Sequence, residues 1–296
     1  MNIPNVTIKQ LLEAGVHLGH KTFRWNPKMK KFIFGANNSI HIIDLVQTLE
    51  MINVALQEVH KCISSGGKIL FVSTKKQATE SISTLAKDTS QFFVNHRWLG
   101  GMLTNWKTIS NSIKRYKKLT DDLQKENTGF TKKEILKMGI QRDKLERSLG
   151  GIADMKKVPN MIFIIDTNIE ELAVKEAIKL NIPIIAIVDT NSDPTGINFP
   201  IPGNDDARRA INLYCELVKQ TILDAQKNIA TAKEEQPAKI GKNGLDGIQR
   251  EKLSQNVEIS KKIDIKQKDK KEKSKTKKKT TSIISKIKSL ASKKKK

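Results

Sequence analysis

Three short, unbroken runs of apolar residues constrain the fold of this chain more than any other feature of its sequence. They occupy residues 68–73 (KILFVS), 160–166 (NMIFIID) and 184–189 (IIAIVD). A strand with one face in water alternates apolar and polar residues, whereas these runs are continuous. We therefore predict buried strands that are covered on both faces, as in a parallel sheet between two layers of helices.

Helical patterns separate these runs along the chain. They occupy residues 45–65, 76–87, 170–179 and 206–226, and residues 91–94 add one more short strand. Strands and helices therefore alternate, which indicates βαβ units. The predicted fold class is α/β, with a doubly wound, mostly parallel, flavodoxin-like sheet.

The segment of residues 104–149 interrupts this alternation, because it contains two long helical patterns and no strand. The apolar positions are Ile109, Ile113, Tyr116, Leu119 and Leu123 on the first helix, and Ile135, Met138, Leu145 and Leu149 on the second. Spacings of three and four are typical of coiled coils. Residues 127–129 predict the turn and Thr131 the N-cap of the returning helix. We predict an antiparallel coiled-coil hairpin inserted into the α/β domain.

The charge of the chain is strongly positive and unevenly distributed. The net charge is +23, and residues 257–296 contain 17 Lys against 4 Asp or Glu. Such an excess favours nucleic acid as a partner over an anionic membrane surface. We expect this basic C-terminal tail to be disordered. It would act either as a sequence-independent phosphate-binding arm or as a solubilising extension.

The predicted domains are residues 1–103 with 150–230 (the α/β domain), 104–149 (the hairpin) and 231–296 (the tail). The chain has 2 cysteines, too few for a disulfide framework, which favours a reducing cytoplasm. The N-terminus lacks a signal-peptide pattern, and no apolar run approaches the roughly 20 residues that span a bilayer. We therefore expect a cytoplasmic protein with no membrane partner.

A basic loop near the N-terminus is the first candidate RNA-binding segment. Its candidate residues are Arg24, Trp25, Asn26, Lys28, Lys30 and Lys31. The cations would bind phosphates, and Trp25 would pack on a sugar or on its own sheet. Residues 32–35 and 40–44 predict a β-hairpin that supports the loop.

The segment of residues 95–107 (NHRWLGGMLTNWK) combines aromatic and basic residues at unusual density. Its candidate RNA-binding residues are His96, Arg97, Asn105, Trp106 and Lys107. Aromatic faces stack on bases and cations bind phosphates, so the mixture suits folded RNA. A tight turn whose tryptophans pack into the core explains the same residues equally well.

Residues 73–77 (STKKQ) follow a predicted strand and precede a helix, which is where doubly wound folds bind phosphates. Lys75 and Lys76 are therefore candidates for an RNA phosphate. The segment lacks the glycines of a nucleotide-binding loop. We do not expect a small-molecule nucleotide there.

Two histidines and several aspartates form a candidate site for a divalent cation, at His17, His20, Asp189 and Asp205. His17 and His20 have a spacing that can place both imidazoles on one metal, and the aspartates follow predicted strands. Alternatively, the aspartates cap turns and the last helix. No other cofactor is expected.

The sequence contains no constellation typical of a catalytic nucleophile. A Gly-x-Ser-x-Gly elbow is missing, and Cys62 lies on a helical apolar pattern that predicts a core thiol. An alternative hypothesis is a flavodoxin-like enzyme or nucleotide-binding protein, with a pocket formed by residues 73–76, 190–193 and 204–206. We expect an RNA-binding protein and no enzyme.

Five segments carry a resemblance to a known family. They are residues 15–20 (GVHLGH), 24–29 (RWNPKM), 95–107, 189–194 (DTNSDP) and 201–206 (IPGNDD). In this order and spacing they resemble the signatures of the bacterial small-subunit ribosomal protein two family. The resemblance covers about residues 3–228 and includes the hairpin, but not the lysine-rich tail.

The resemblance implies a non-catalytic constituent of the small ribosomal subunit that acts in translation and has no small-molecule substrate. It implies binding to small-subunit rRNA at the junction of head and body, on the solvent side. It also implies contacts with neighbouring small-subunit proteins, including the large protein that captures mRNA.

Overall fold

The computed structural model describes residues 4–125 and 130–234. It begins with helix α1 (Ile8–Ala14) and the strands β1 (Leu18–Lys21), β2 (Ile33–Asn37) and β3 (Ile40–Ile43), which form an antiparallel sheet in the order β1-β3-β2. Asn38 and Ser39 make the turn between β2 and β3 with φ angles of 51° and 61°. Positive φ at both positions matches the twist of a two-residue hairpin. The predicted hairpin is confirmed, whereas β1 lies outside the predicted strands.

The remaining elements alternate between strands and helices, apart from one pair of consecutive helices. In chain order they are α2 (Leu45–Ser64), β4 (Ile69–Val72), α3 (Thr79–Asp88), β5 (Phe92–Val94), α4 (Trp106–Gln124), α5 (Lys132–Leu149), β6 (Met161–Ile165), α6 (Glu171–Lys179), β7 (Ile184–Val188), β8 (Phe199–Pro202) and α7 (Arg208–Glu234).

The second sheet is parallel throughout and has five strands in the order β5-β4-β6-β7-β8. Counted from β4, this is the strand order 2-1-3-4-5 of flavodoxin-like folds. The sheet confirms the predicted α/β class and the four predicted strands. The fifth, β8, was not predicted. It contains Pro200 and Pro202 and lies at the edge of the sheet, where a strand tolerates proline.

Both faces of the parallel sheet are covered, as the continuous apolar runs predict. Alternate residues of β4 show the division, because Phe71 packs with α1, α2, α3 and α7 while Leu70 and Val72 pack on the opposite face. That second face is covered by α6, by residues 98–103 and by the end of the helical pair next to the sheet. The core is therefore divided into two layers by the sheet.

Helices α4 and α5 confirm the predicted pair of helices between β5 and β6. They run antiparallel, since Ile109 and Leu149 share one apolar cluster and Arg115 donates a hydrogen bond to Gln141 further along. Thr131 caps α5 as predicted, in a capping box with Glu134. The predicted turn at residues 127–129 lies outside the described residues.

Two predicted helix boundaries differ from the structure by three residues or more. α3 begins at Thr79 instead of residue 76, since residues 73–78 form a loop that turns Lys75 inward. α7 extends to Glu234, past its predicted end at residue 226 and past the predicted start of the tail at residue 231. The chain divides into two units, Met1–Ala232 and Lys233–Lys296. The predicted disorder of the tail beyond residue 234 concerns residues outside the described part.

The helices of the described residues were also compared with the length and hydropathy that a bilayer crossing requires. None of them is both long enough and apolar enough to span a membrane.

Candidate RNA interface and strand-end cluster

The N-terminal basic loop, residues 22–32, is held by short-range capping and by two buried side chains. It forms two short 3-10 helices, Thr22–Arg24 and Pro27–Phe32. The Oδ1 atom of Asn26 accepts a hydrogen bond from the backbone N–H of Lys28 at 3.0 Å, which caps the second of them. Met29 and Phe32 are almost fully buried. The loop is thus fixed on the core while its polar side chains face outward.

Three predicted cations of this loop, Arg24, Lys30 and Lys31, are exposed, and in the described part of the chain none has an ion pair within 4.0 Å. Lys28 is different, because its Nζ lies 2.6 Å from Asp193 Oδ2 and 3.1 Å from Thr195 Oγ1. The hydrogen bond from Lys28 lowers the pKa of Asp193 to about 2. Lys28 therefore ties the loop to the segment after β7 and offers less free charge to a phosphate.

The loop and the strand that follows it also expose aromatic side chains. Trp25 is 37% exposed and its ring lies 5.5 Å from that of His41. Phe23 and Phe34 are 73% and 80% exposed, and both were missed in the sequence. The alternation of side chains along β2 places Phe34 on the face opposite to that of the half-buried Ile33.

The segment of residues 95–107 contributes some side chains to the core and exposes others at the surface. Trp98 is buried and its Nε1–H donates to Glu176 Oε1 at 3.1 Å. Glu176 also accepts from the backbone N–H groups of Gly101, Leu103 and Thr104. The Glu176 carboxylate, on α6, therefore holds residues 98–104 together through hydrogen bonds. Trp98 belongs to the core.

Other predicted residues of the same segment remain at the surface. His96, Arg97, Asn105 and Lys107 are exposed, whereas Trp106 is half-buried and packs on the core. Burial alone would raise the pKa of Glu176, but the hydrogen bonds from Thr104 and Leu103 outweigh it and lower the pKa. A carboxylate that stays ionised holds the cationic surface above it in one conformation.

The two lysines predicted after β4 have different environments. Lys76 is exposed. The ammonium of Lys75 lies 3.1 Å from Asp166, 2.8 Å from Asp205 and 2.6 Å from Asp206, with only 10% of the side chain exposed. Burial opposes its charge, but these carboxylates raise its pKa well above the usual value. The charge of Lys75 is thus already paired with carboxylates inside the protein. A lysine that binds an RNA phosphate would instead be exposed with its charge unpaired.

His20 joins the same group of carboxylates from the opposite side. Its Nδ1 lies 3.0 Å from Asp189 and its Nε2 3.4 Å from Asp206. Its backbone N–H donates to the hydroxyl of Thr190 at 2.9 Å. A Cβ on Gly19 would lie 2.6 Å from Thr190, so only glycine allows this close approach. The hydrogen bond to Asp189 raises the pKa of His20.

Three of the four predicted metal ligands meet at this point. One ligand atom from each of His20, Asp189 and Asp205 lies within 4.8 Å of the others. The Oδ2 atom of Asp205 is buried without a hydrogen-bond partner, and burial raises the pKa of Asp205 to about 7. This imidazole and two carboxylates fit the donor set of a divalent cation. His17 is not part of the group.

The strand-end cluster, which is Asp166, Asp189, Asp205 and Asp206 with Lys75 and His20, occupies the edge where the alternative nucleotide pocket was predicted. Its carboxylates outnumber its cations, so a nucleotide phosphate would be repelled. Cavities of about 400 and 870 Å³ lie elsewhere, between α3 and α7 and between β5 and the helical pair.

Two important residues of these sites, Asp166 and Glu176, were missed in the sequence. Asp166 follows β6 at the same edge as Asp189 and adopts φ = 67°, so the end of a predicted strand is the signal that marks it. Asp206 belongs to the predicted segment of residues 204–206. Glu176 lies within a helical pattern, and nothing in the sequence marks its role.

Comparison with known proteins assigns the family. The model of the family described as ribosomal protein S2 matches residues 11–225. A protein named small ribosomal subunit protein uS2 from Parvibaculum lavamentivorans is 56% identical over 224 residues, covering 76% of this chain and 88% of the relative. Proteins of the same name from Gluconacetobacter diazotrophicus and Phenylobacterium zucineum are each 58% identical and cover 86% and 76% of their own lengths.

The residues that match the family model include the N-terminal basic loop, the segment of residues 95–107, the helical pair and the strand-end cluster. The match to the model ends before the lysine-rich tail. Because the match extends over most of the chain at more than half identity, the chain belongs to the ribosomal protein S2 family.

Proposed function

We propose that this chain binds small-subunit rRNA at the junction of the head and body of the small ribosomal subunit, through two basic surfaces held in fixed positions on the α/β domain. As a member of its family it is a structural, non-enzymatic protein of the cytoplasmic ribosome that acts in translation. The details of RNA binding, set out below, are our inference from the exposed cations.

The first proposed surface is the N-terminal basic loop. Arg24, Lys30 and Lys31 are its free cations, and Trp25 and Asn26 lie beside them. The burial of Met29 and Phe32 fixes the backbone under these cations before RNA binds. Binding therefore costs less conformational entropy than it would in a flexible loop. This fixed group of unpaired cations is the observation that carries the proposal.

The second proposed surface comprises His96, Arg97, Asn105 and Lys107, with Trp106 and, from the neighbouring loop, Lys76. Exposed cations position a protein on phosphates, and the exposed imidazole and amide groups add hydrogen bonds. Lys28 belongs to the first surface by its position in the N-terminal basic loop. Its charge is already paired with Asp193, so we expect it to bind RNA less strongly than the free cations do. We do not include Lys75, whose ammonium is enclosed by three aspartates.

We further propose that the surface around Phe23 and Phe34 supports recruitment of the large mRNA-capturing ribosomal protein. These rings are 73% and 80% exposed, and the guanidinium of Arg24 lies 5.5 Å from the centre of the Phe23 ring. Exposed aromatic side chains are typical of protein interfaces. A short apolar and acidic segment of the partner would complement this surface.

Binding of the full-length chain to a small-subunit rRNA fragment, measured over a range of salt concentrations, tests the RNA proposal. We expect the triple variant R24Q/K30Q/K31Q to bind at least about tenfold more weakly and to decrease the salt slope by roughly 2 to 3. The control variant K61Q/K175Q/K179Q removes the same charge from α2 and α6. Equal losses in both variants would show that only net charge matters and would contradict the proposal.

We also propose that His20, Asp189 and Asp205 bind a divalent cation such as Zn²⁺. The buried, unpaired Oδ2 of Asp205 supports this, since such an atom needs a cation or a proton. We expect Zn²⁺ to raise the Tm of the wild type but not that of Asp205→Asn. The control Asp193→Asn lies outside the group and should keep the response. A wild-type Tm that Zn²⁺ leaves unchanged would contradict the site.

A further inference from the structure

Helix α5 has a second apolar face that its partner helix does not cover. Met138, Arg142, Leu145 and Leu149 face α4 and are half-buried or buried. A second set follows the spacing three, four, four and three on the opposite side of the helix. We call it the outer stripe, and it consists of Lys133, Leu136, Ile140, Lys144 and Arg147.

The centre of the outer stripe is unusually apolar for a solvated helix face. Leu136 is 67% exposed and Ile140 is 56% exposed, and they are neighbours at positions i and i+4. A helix in contact with one partner normally presents polar residues on its outer face. A stripe with the spacing of a coiled-coil seam predicts a further helix packed there.

Gly139, three residues after Leu136 and directly before Ile140 in the sequence, supports the same conclusion. A Cβ at Gly139 would have no described heavy atom within 4 Å, so no contact in the described part of the chain requires glycine there. Glycine inside a helix costs stability relative to alanine. A backbone that approaches α5 closely from outside would give this glycine a packing role.

The charge on and beside the outer stripe indicates the chemistry of the partner. Lys133, Lys137, Lys144 and Arg147 are exposed, and within residues 4–125 and 130–234 none has an ion pair within 4.0 Å. RNA phosphates would pair these cations but leave Leu136 and Ile140 in water. A helix with one apolar face flanked by Asp and Glu covers both the side chains and the charges.

We propose that the outer stripe of α5 docks an acidic amphipathic helix of another protein in the assembled small subunit. This inference rests on the proposed function, because it places the partner within the ribosomal particle. It adds a protein-binding face to a helical pair whose other exposed residues are mainly polar or charged.

Site-specific photo-cross-linking in assembled particles tests the proposal. Full-length protein carries p-benzoylphenylalanine in place of Leu136, and a matched sample carries it in place of Lys118, on the outer face of α4. We expect the Leu136 sample to cross-link to a protein segment with flanking acidic residues, identified by mass spectrometry. We expect the Lys118 sample not to cross-link to that segment.

A second variant provides the charge test. Ile140→Asp, added to the Leu136 sample, should decrease the protein cross-link by about tenfold or more, because it places like charges together. Circular dichroism should show unchanged helix content, since Ile140 is exposed. An undiminished cross-link would overturn the charge argument.

The remaining outcomes separate this inference from the function on which it rests. A protein that enters the particle but cross-links at residue 136 only to RNA, only to a second copy, or to nothing overturns the docking face and leaves rRNA binding intact. A protein that binds no rRNA and never enters the particle overturns both.

Discussion

The Glu176 carboxylate holds one surface loop in place through several hydrogen bonds. It accepts hydrogen bonds from Trp98, Gly101, Leu103 and Thr104, and so holds the segment that exposes Arg97 and Lys107. An acidic residue thus fixes the backbone beneath a basic surface. If that surface binds RNA as we propose, the residues that bind RNA and the residue that positions them are different.

Glu176→Gln tests this role, because it removes the charge and keeps the size of the side chain. We expect the free energy of unfolding at neutral pH to fall by about 2 kcal/mol, the scale of hydrogen bonds to a charged group. The pKa of Glu176 is lowered in the folded state. Its contribution is therefore present above the unfolded pKa, near 4.3, and is lost as pH falls through the folded pKa.

Urea denaturation at neutral pH and at about pH 3 measures this difference. The stability difference between wild type and variant should be largest at neutral pH and should shrink in acid. Glu171→Gln is the control, since its exposed ion pair with Lys175 contributes little. A difference that is the same at both pH values would contradict the role of the ionised carboxylate.

Lys75→Met tests whether Lys75 stabilises the fold, as its ion pairs indicate, or binds RNA, as the sequence alone predicted. Removing the ammonium leaves Asp166, Asp205 and Asp206 uncompensated. We expect a loss of about 3 to 5 kcal/mol in unfolding free energy, whereas Lys76→Met should change it by less than about 0.5 kcal/mol. A Lys75→Met protein of normal stability and weakened rRNA binding would restore the original assignment.

The residue scale also shows what a sequence can and cannot reveal. His20, Asp189 and Asp205 could be placed together because strand ends of a parallel sheet meet at one edge. Trp98 and Trp106 could not be separated, since the same aromatic residue type serves core and surface. Glu176 could not be predicted, because its partners are backbone groups far away in the sequence.

At the scale of elements, the helical pair depends on local signals. The capping box of Thr131 and Glu134 fixes the start of α5 next to residues that the structure does not describe. The continuous strands and the spacing of α4 and α5 were predictable from periodicity. β1 and β8 were not, because short edge strands depend on pairing more than on their own pattern.

Thr131→Ala should weaken the start of α5 without changing the α/β domain. Loss of an N-cap costs about 1 kcal/mol, so amide hydrogen exchange in the first turn of α5 should accelerate several-fold. Ser148→Ala, near the other end of the helix, removes only a hydrogen bond to the carbonyl of Lys144 and serves as the control. Equal acceleration throughout the parallel sheet would show that the helical pair is not an independent unit.

At the scale of the whole molecule, charge is distributed by function. Carboxylates concentrate at the ends of the parallel strands, where they enclose Lys75 and His20. Among the described residues, exposed cations without an ion pair include several on the N-terminal basic loop, on residues 95–107 and on the helical pair. The strand edge is therefore acidic, where related folds bind nucleotides, and we propose that the chain binds polyanions on these other surfaces.

The central claim is that the chain enters the small ribosomal subunit through these free cations. The most direct test is sedimentation of tagged full-length protein through a sucrose gradient, comparing wild type, R24Q/K30Q/K31Q and K61Q/K175Q/K179Q. We predict that wild type and the charge-matched control sediment with small subunits, and that most R24Q/K30Q/K31Q protein stays at the top of the gradient. Wild type at the top, or R24Q/K30Q/K31Q fully retained in the subunit, would contradict the account.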